Sequence, residues 1–163
     1  MTVTLGDAFF ELDDYKLVGD PVGEGSYGKV YIVEKKSDKK TYAAKIASAK
    51  SVEKGKGQRL FMRETMLMKM MKHPAIVRFY GLNFNSFSNH DLFQPTIIME
   101  YLKNGSLEKI LIDETKGLSN HEWTMHKKYI SLLGVAHAMN YLHQHNILHR
   151  DLKPDNILMD DDF

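Results

Sequence analysis

The residue types best suited to chemistry lie near the end of the chain, in the stretch HRDLKPDN. Asp151 offers a general base or an orienter for a hydroxyl group, and Lys153 offers a compact cation that binds phosphate. Asn156 offers a neutral amide oxygen for a hard metal ion, five positions after Asp151. Pro154 restricts the turn between them. A polar loop between a helix and the strand-like NILM is the alternative. A catalytic loop is favoured because a glycine-rich stretch, a strand lysine and a helix glutamate precede the motif in that order.

A second candidate site is the glycine-rich stretch GEGSYGKV, with Gly23, Gly25 and Gly28. Glycine lets the backbone approach closely, so that its amides can lie over phosphate oxygens. A glycine-rich hairpin turn is the structural alternative. The functional alternative, a dinucleotide-binding fingerprint, needs a helix directly after the glycines. Because Lys29–Val33 is β-branched and strand-like, the sequence context excludes that fingerprint.

A third candidate is the pair Lys45 and Glu64. On the predicted strand TYAAKIA, the period of two places Lys45 on one face with the small Ala43. Glu64 lies in the predicted helix RLFMRETMLMKMMK, and three apolar residues share its face: Phe61, Met68 and Met71. Taken singly, each is an ordinary surface charge. Taken together, they predict an ion pair that holds the ammonium group against phosphate oxygens, because partly buried charges are usually paired.

The elements that must position these residues change along the chain. A hairpin at Tyr15–Val33, the strand TYAAKIA and the strands AIVRFYGLNF and PTIIMEYL make the first part rich in strands. The link NSFSNHDLFQ is a solvated loop, with a docking role as the alternative. Two helices then follow, NGSLEKILIDE and HKKYISLLGVAHAMNYLHQH, the second with an apolar face of Ile130, Leu133, Ala136, Met139 and Leu142. The order predicts two lobes with a boundary near Leu102–Gly105.

The composition excludes several classes of protein. Of the 163 residues, 43% are hydrophobic and 26% are charged, as in a soluble globular protein. The formal net charge of +1 gives no general attraction to nucleic acid, and the basic runs KKSDKK and SAKSVEKGKGQR fall in predicted loops without aromatic residues. There is no Cys for disulfides and no stretch long and apolar enough to cross a bilayer. We expect an intracellular, cytoplasmic protein without nucleic-acid or membrane partners; the oligomeric state stays open.

Together these motifs resemble the eukaryotic protein kinase family, in the same order and over Tyr15–Phe163. The resemblance implies ATP and Mg²⁺ as cofactors and a protein as substrate. It implies that Lys45 contacts the α- and β-phosphates and pairs with Glu64, on the helix that the family calls αC. It assigns these further residues to nucleotide binding: Gly23, Gly25, Ser26, Gly28, Val30, Ala43, Met99 as gatekeeper, Glu100, Leu102 and Leu158.

In HRDLKPDN the resemblance implies that Asp151 is the catalytic aspartate, that Lys153 contacts the γ-phosphate and that Asn156 binds Mg²⁺. Lysine at position 153 is typical of serine/threonine kinases, and MRETMLMKMMKHPAIVRFYG and NGSL are most similar to the tyrosine-kinase-like group. The alternative is a non-catalytic module that binds ATP or another protein. Val22 stands where the family often has leucine, which is a conservative change.

The implied fold is α+β and two-lobed, with a complete N-lobe of five antiparallel strands plus αC and only the start of a helical C-lobe. It divides the chain into a lead-in at 1–14, an N-lobe at 15–102 and a partial C-lobe with αD, αE and the catalytic loop at 103–163. In the family a DFG motif follows the catalytic-loop asparagine by about a dozen residues. Asp162-Phe163 comes too early for that motif, so we expect a solvated turn there, with an acidic metal site at Asp160–Asp162 as the alternative. We expect the 163 residues alone to be poorly soluble and inactive.

Overall fold

The computed structural model of the chain describes residues 6–25, 28–48, 55–118 and 123–160. Its contacts divide the chain into two compact units. Residues up to Lys72 and Val77–Tyr101 belong to the first unit, whereas His73–Ile76 and the residues from Leu102 onward belong to the second.

The first unit is built on one antiparallel sheet of five strands, as predicted. In space the strands follow the order β1-β2-β3-β5-β4, which leaves β1 and β4 at the two edges. Their bounds are Tyr15–Gly25 for β1, Gly28–Lys35 for β2, Thr41–Ala47 for β3, Phe79–Asn85 for β4 and Phe93–Glu100 for β5. A register shift between Val18 and Gly23 interrupts the pairing of β1 with β2 just before the glycine-rich stretch.

Apolar side chains cover both faces of the sheet. One cluster consists of Tyr15, Val33, Ala44, Ile46 and Ile98. The other, which we call the helix-side cluster, consists of Ala47, Phe61, Leu82 and Ile97. Phe61 comes from helix α1 (Gly55–Met70), so this helix packs on the second face. Successive residues of β3 and of β5 belong to different clusters, such as Ile97 and Ile98 on β5. This period of two is expected of a strand that is covered on both faces.

The strand predicted for AIVRFYGLNF begins later than expected. Its first residues are not in β4, which starts at Phe79. The His73 carbonyl accepts a hydrogen bond from the Ile76 N–H at 3.0 Å, and the His73 Nδ1 accepts one from the Ala75 N–H at 3.1 Å. These two bonds close a turn after the histidine, so Ala75 and Ile76 are not available to a sheet partner.

The second unit contains helix α2 (Leu107–Thr115) and helix α3 (Met125–Gln144). Both begin with a hydroxyl cap, because the Ser106 side chain accepts from the Lys109 N–H and the Thr124 side chain accepts from the Lys127 N–H. NILM was expected to be a strand, but its pairing in the described part of the chain is a single bridge between Ser106 and Leu158. None of the helices in the described residues has the combined length and apolar character that a membrane crossing requires.

The apolar face predicted for α3 is largely exposed. Of its five predicted members only Leu142 is buried, whereas Ile130 and Leu133 are 47% and 58% exposed. Ala138, which the periodicity did not select, is buried instead. The exposed set forms an apolar surface on this helix.

A polar cluster joins α2 to the start of α3. The Lys128 Nζ lies 2.5 Å from Oε1 of Glu114, and the Trp123 Nε1 donates to Oε2 of the same carboxylate at 3.2 Å. The hydrogen bond from Lys128 is the main reason why the pKa of Glu114 lies below its usual value, and the charge of Lys128 and the Trp123 bond act in the same direction. Both oxygens of one carboxylate are thus used to hold two helices together.

We expect this cluster to make the second unit sensitive to acid. A carboxyl group whose pKa is lower in the folded than in the unfolded chain stabilises the fold above the unfolded pKa, and this stabilisation is lost as the pH falls through the folded pKa. Glu114→Gln should therefore show a smaller loss of melting temperature than the wild type when the pH is lowered from neutral into the acid range. Asp113→Asn, on the same helix, is the control and should keep the wild-type acid dependence. Parallel curves for wild type and Glu114→Gln would contradict the assignment.

Candidate active site

The glycine-rich stretch joins β1 to β2, and its three glycines have different surroundings. Gly23 pairs with Val30, and Gly25 pairs with Gly28. A Cβ atom at Gly28 would lie 2.1 Å from the carbonyl oxygen of Ile46 on β3, whereas a Cβ atom at Gly25 would meet nothing within 4 Å. The fold therefore requires glycine at position 28, while the described packing leaves open space above position 25. Ser26 lies outside the described residues.

Lys45 and Glu64 form the predicted ion pair. The Lys45 Nζ lies 2.6 Å from Oε1 of Glu64, and the two side chains are 22% and 38% exposed. Lys45 pairs with Val30 on β2 and with Ile97 on β5, so strands on both sides hold its backbone. Phe61, one turn before Glu64 on α1, is buried in the helix-side cluster. The ammonium group is therefore held by a helix and a sheet that are packed against each other.

Some of the residues predicted to contact adenine lie on neighbouring strands, and others belong to the second unit. Ala43 on β3 pairs directly with Met99 on β5. Leu102 and Leu158 belong to the second unit, where the Leu102 carbonyl accepts from the Gly105 N–H at 3.2 Å and Leu158 bridges to Ser106. The structure thus brings one small and one large apolar residue together at the centre of the sheet.

Glu100 makes a contact that the sequence analysis missed. Its N–H donates to the Arg78 carbonyl at 2.9 Å, and its Oε2 accepts from the Arg78 N–H at 3.2 Å. One residue at the end of β5 therefore fixes both backbone polar groups of the residue that precedes β4. No local pattern connects two residues 22 positions apart, so the sequence carries no direct signal for this contact.

In the second unit the predicted catalytic loop folds around Asp151. The Asn156 Nδ2 donates to the Asp151 carbonyl at 2.8 Å and to its Oδ2 at 2.9 Å, and the Lys153 Nζ lies 3.7 Å from the same Oδ2. The Asp151 N–H donates to the His149 Nδ1 at 3.4 Å. A 3₁₀ turn at Pro154–Asn156, with proline in its first position, turns the Asn156 amide back toward Asp151. The structure therefore brings Asp151, Lys153 and Asn156 together.

The donor set suits a hard cation only in part. Both described bonds of the Asn156 side chain use its Nδ2, which leaves Oδ1, the atom that Mg²⁺ prefers, free to face a cation. The described residues contain no group of three or more histidines, cysteines, aspartates or glutamates that could hold a metal ion. Asp161 and Asp162 lie outside the described residues. The carbonyl of Asp160 accepts a hydrogen bond from Asn104.

Comparison with known proteins decides the family. The model of the protein kinase domain matches residues 17–163. This chain belongs to the protein kinase family. It is 32% identical over 154 residues to an Aurora kinase of Saccharomyces cerevisiae, and the aligned region covers 91% of this chain and 37% of that kinase. It is 35% identical over 149 residues to the serine/threonine-protein kinase greatwall of Danio rerio, at 91% of the chain and 16% of the relative.

A third kinase relative is the serine/threonine-protein kinase Sgk2 of Rattus norvegicus, with 36% identity over 140 residues, 85% of this chain and 35% of that protein. The chain thus spans less than two fifths of the length of these three relatives. Protein kinases generally use ATP and Mg²⁺. The membership confirms the α+β fold expected from the motifs, whereas the placement in the tyrosine-kinase-like group stays a prediction.

The glycine surroundings give a test that needs no activity. Gly28→Ala should lower the free energy of unfolding by about 1–3 kcal/mol, the usual cost of forcing an atom into a filled space, because the new methyl group meets a backbone carbonyl that cannot rotate away. Gly25→Ala places the same methyl group in open space and should change stability by less than about 0.5 kcal/mol. Urea unfolding of both variants measures the difference. Equal losses in the two variants would be inconsistent with the contact to Ile46.

Proposed function

We propose that this chain supplies the nucleotide-binding and catalytic-loop residues of a protein serine/threonine kinase, which transfers the γ-phosphoryl group of ATP to a protein hydroxyl. The observation that carries the proposal is the 2.6 Å ion pair between Lys45 and Glu64. A lysine that shares a sheet with a glycine-rich hairpin, and that a helix glutamate holds from one side, is arranged to bind phosphate oxygens.

In the first unit, Lys45 is the proposed ligand of the α- and β-phosphates. The backbone of Gly23, Gly25 and Ser26 lies over the phosphates in this proposal, and the open space above Gly25 supports that role. Gly28 serves the same stretch indirectly, because its missing side chain allows β2 to lie against β3. The proposed adenine contacts are Val30, Ala43, Met99, Glu100, Leu102 and Leu158.

In the second unit, Asp151 is the proposed base or orienter of the substrate hydroxyl. Its Oδ2 is held by the Asn156 amide and faces Lys153, so its other oxygen is the one that can accept the hydroxyl proton. The side chain is 68% exposed, which leaves room for a substrate hydroxyl to approach. Lys153 carries a positive charge beside this carboxylate and is the proposed contact of the γ-phosphate. Lysine at this position also supports serine and threonine as the acceptor residues.

For Mg²⁺, the proposed ligand among the described residues is Oδ1 of Asn156. A bound Mg²⁺ would neutralise the developing negative charge on the phosphate oxygens. The hydrogen bonds of Asn156 turn the Nδ2 of its amide toward Asp151 and leave Oδ1 as the atom that would bind the cation. The protein substrate, the partners and an intracellular location are parts of the same proposal.

The proposal predicts that Asp151→Asn abolishes phosphate transfer while nucleotide binding persists. The amide cannot accept the hydroxyl proton, and we expect a fall in rate of at least about 10²-fold, the lower end of general-base contributions. The rate is measured with the full-length protein that the gene encodes. The assay follows the transfer of labelled γ-phosphate to a mixed set of serine and threonine peptides. Asp155→Asn changes the neighbouring exposed carboxylate of the same loop and is the matched control, expected to retain the wild-type rate.

Nucleotide binding is measured separately through thermal stabilisation by ATP with Mg²⁺ and by ATP with EDTA. Stabilisation that does not depend on the metal, in a protein without transfer activity, would instead favour the non-catalytic binding module. Equal transfer by wild type and Asp151→Asn would refute the role of Asp151.

A further inference from the structure

The segment before the sheet, Gly6–Asp14, is docked along the edge strand β4, and we call it the N-terminal strap. Phe9 forms a parallel bridge with Leu82, and the Phe10 N–H donates to the Leu82 carbonyl at 3.3 Å. The Asn83 Nδ2 donates to the Phe10 carbonyl at 2.7 Å. Ala8 and Leu12 of the strap are buried. The strap therefore continues the sheet beyond β4 by a short parallel piece and covers an edge that would otherwise be open.

Strand β4 has two residues that suit it to receive the strap. A Cβ atom at Gly81 would lie 3.0 Å from Cδ1 of Phe10 and 3.2 Å from the carbonyl oxygen of Ala8, so a larger residue would press on the strap. The Asn83 Oδ1 accepts from the Asn85 N–H at 2.8 Å, which fixes the amide with its Nδ2 toward Phe10. A glycine and an oriented amide two residues apart are thus both explained by the strap.

The two phenylalanines of the strap lie on opposite faces of the sheet. Phe10 packs edge-on against Tyr15, at 5.2 Å between ring centroids, next to the cluster on the face away from α1. Phe9 packs against Phe84 at 5.4 Å, and Phe84 lies against the helix-side cluster. This cluster contains Phe61, three residues before Glu64 on α1. A continuous set of packed side chains therefore leads from the strap to the helix that carries the glutamate of the ion pair.

We propose that the strap is a positioning element for phosphate transfer: docked on β4, it holds the helix-side cluster and α1 in the arrangement that pairs Glu64 with Lys45. Phe9 and Asn83 are positioning residues in this scheme, since neither contacts a residue assigned to nucleotide or metal. The link to catalysis rests on the proposed function, whereas the link from strap to helix does not. A two-state equilibrium of the strap, docked or released, would bias the ion pair without any change at the site itself.

The test replaces the amide NH₂ group with which Asn83 holds the strap. Asn83→Asp keeps the shape of the side chain and its acceptor for the Asn85 N–H, but it loses the donor to Phe10 and puts a negative oxygen against a carbonyl. Asn85→Asp makes the same change on an exposed residue of the same strand and is the matched control. Hydrogen–deuterium exchange is followed in the full chain on peptides from α1 and, separately, from β3.

We expect Asn83→Asp to raise the exchange rate in α1 roughly fivefold, because the loss of one hydrogen bond costs about 1 kcal/mol. The exchange rate of β3 in this variant should stay at the wild-type value. The Asn85→Asp protein should exchange at wild-type rates throughout. Equal exchange in the two variants, or an equal increase in α1 and β3, overturns the proposal. If Asn83→Asp does not fold, Gly81→Ala tests the same contact against Gly6→Ala, which adds a methyl group with nothing within 4 Å.

Activity provides the second measurement. If the strap acts through the ion pair, Asn83→Asp should lower the transfer rate several-fold in the wild type and produce no further loss in a Glu64→Gln background. The same fold loss in both backgrounds overturns the positioning role and indicates a general effect on stability. If the full-length protein that the gene encodes transfers no phosphate, the proposed function fails, and the exchange measurement still decides whether the strap orders α1.

Discussion

The candidate site of the first unit depends on one interaction, the ion pair of Lys45 with Glu64. Both charges are partly withdrawn from water, at 22% and 38% exposure, and a partly buried charge is tolerated because an opposite charge faces it. The pair joins the centre of the sheet to α1, and these two elements also meet through the apolar packing of the helix-side cluster. Phe61, one turn before Glu64, packs in the helix-side cluster, so apolar packing and the ion pair hold the same helix on the sheet.

The second unit positions its candidate residues by a different means. Asp151 and Lys153 are exposed, and burial therefore contributes little to their arrangement. The loop is shaped by directional bonds, with Asn156 bonded to both the backbone and the carboxylate of Asp151. Hydrogen bonds of this kind are individually worth about 1 kcal/mol, so the shape of the loop depends on a few small contributions. An arrangement of this type suits the proposed function, in which the carboxylate has to be accessible to a protein substrate.

Local periodicity predicted the parts of the fold that depend on neighbouring residues. The alternation in TYAAKIA gave β3 and the face of Lys45, and helical spacing placed Glu64 beside Phe61. Contacts between distant residues left no such pattern. The bond of Asn83 to Phe10 spans 73 positions, and the sequence therefore predicts only a lead-in for the segment before Tyr15. The family resemblance, rather than periodicity, assigned the nucleotide and metal residues, and their roles remain predictions.

The side chain at position 156 shows why an amide suits this loop better than a carboxylate. Its Nδ2 supplies hydrogen atoms to the carbonyl and to Oδ2 of Asp151, and its Oδ1 keeps an acceptor for a cation. A carboxylate at the same position would have no hydrogen to donate, and it would place a second negative charge about 3 Å from the first, which raises the pKa of one of the two groups. The neutral amide therefore bonds Asp151 twice and keeps an oxygen acceptor without bringing a second negative charge into the loop.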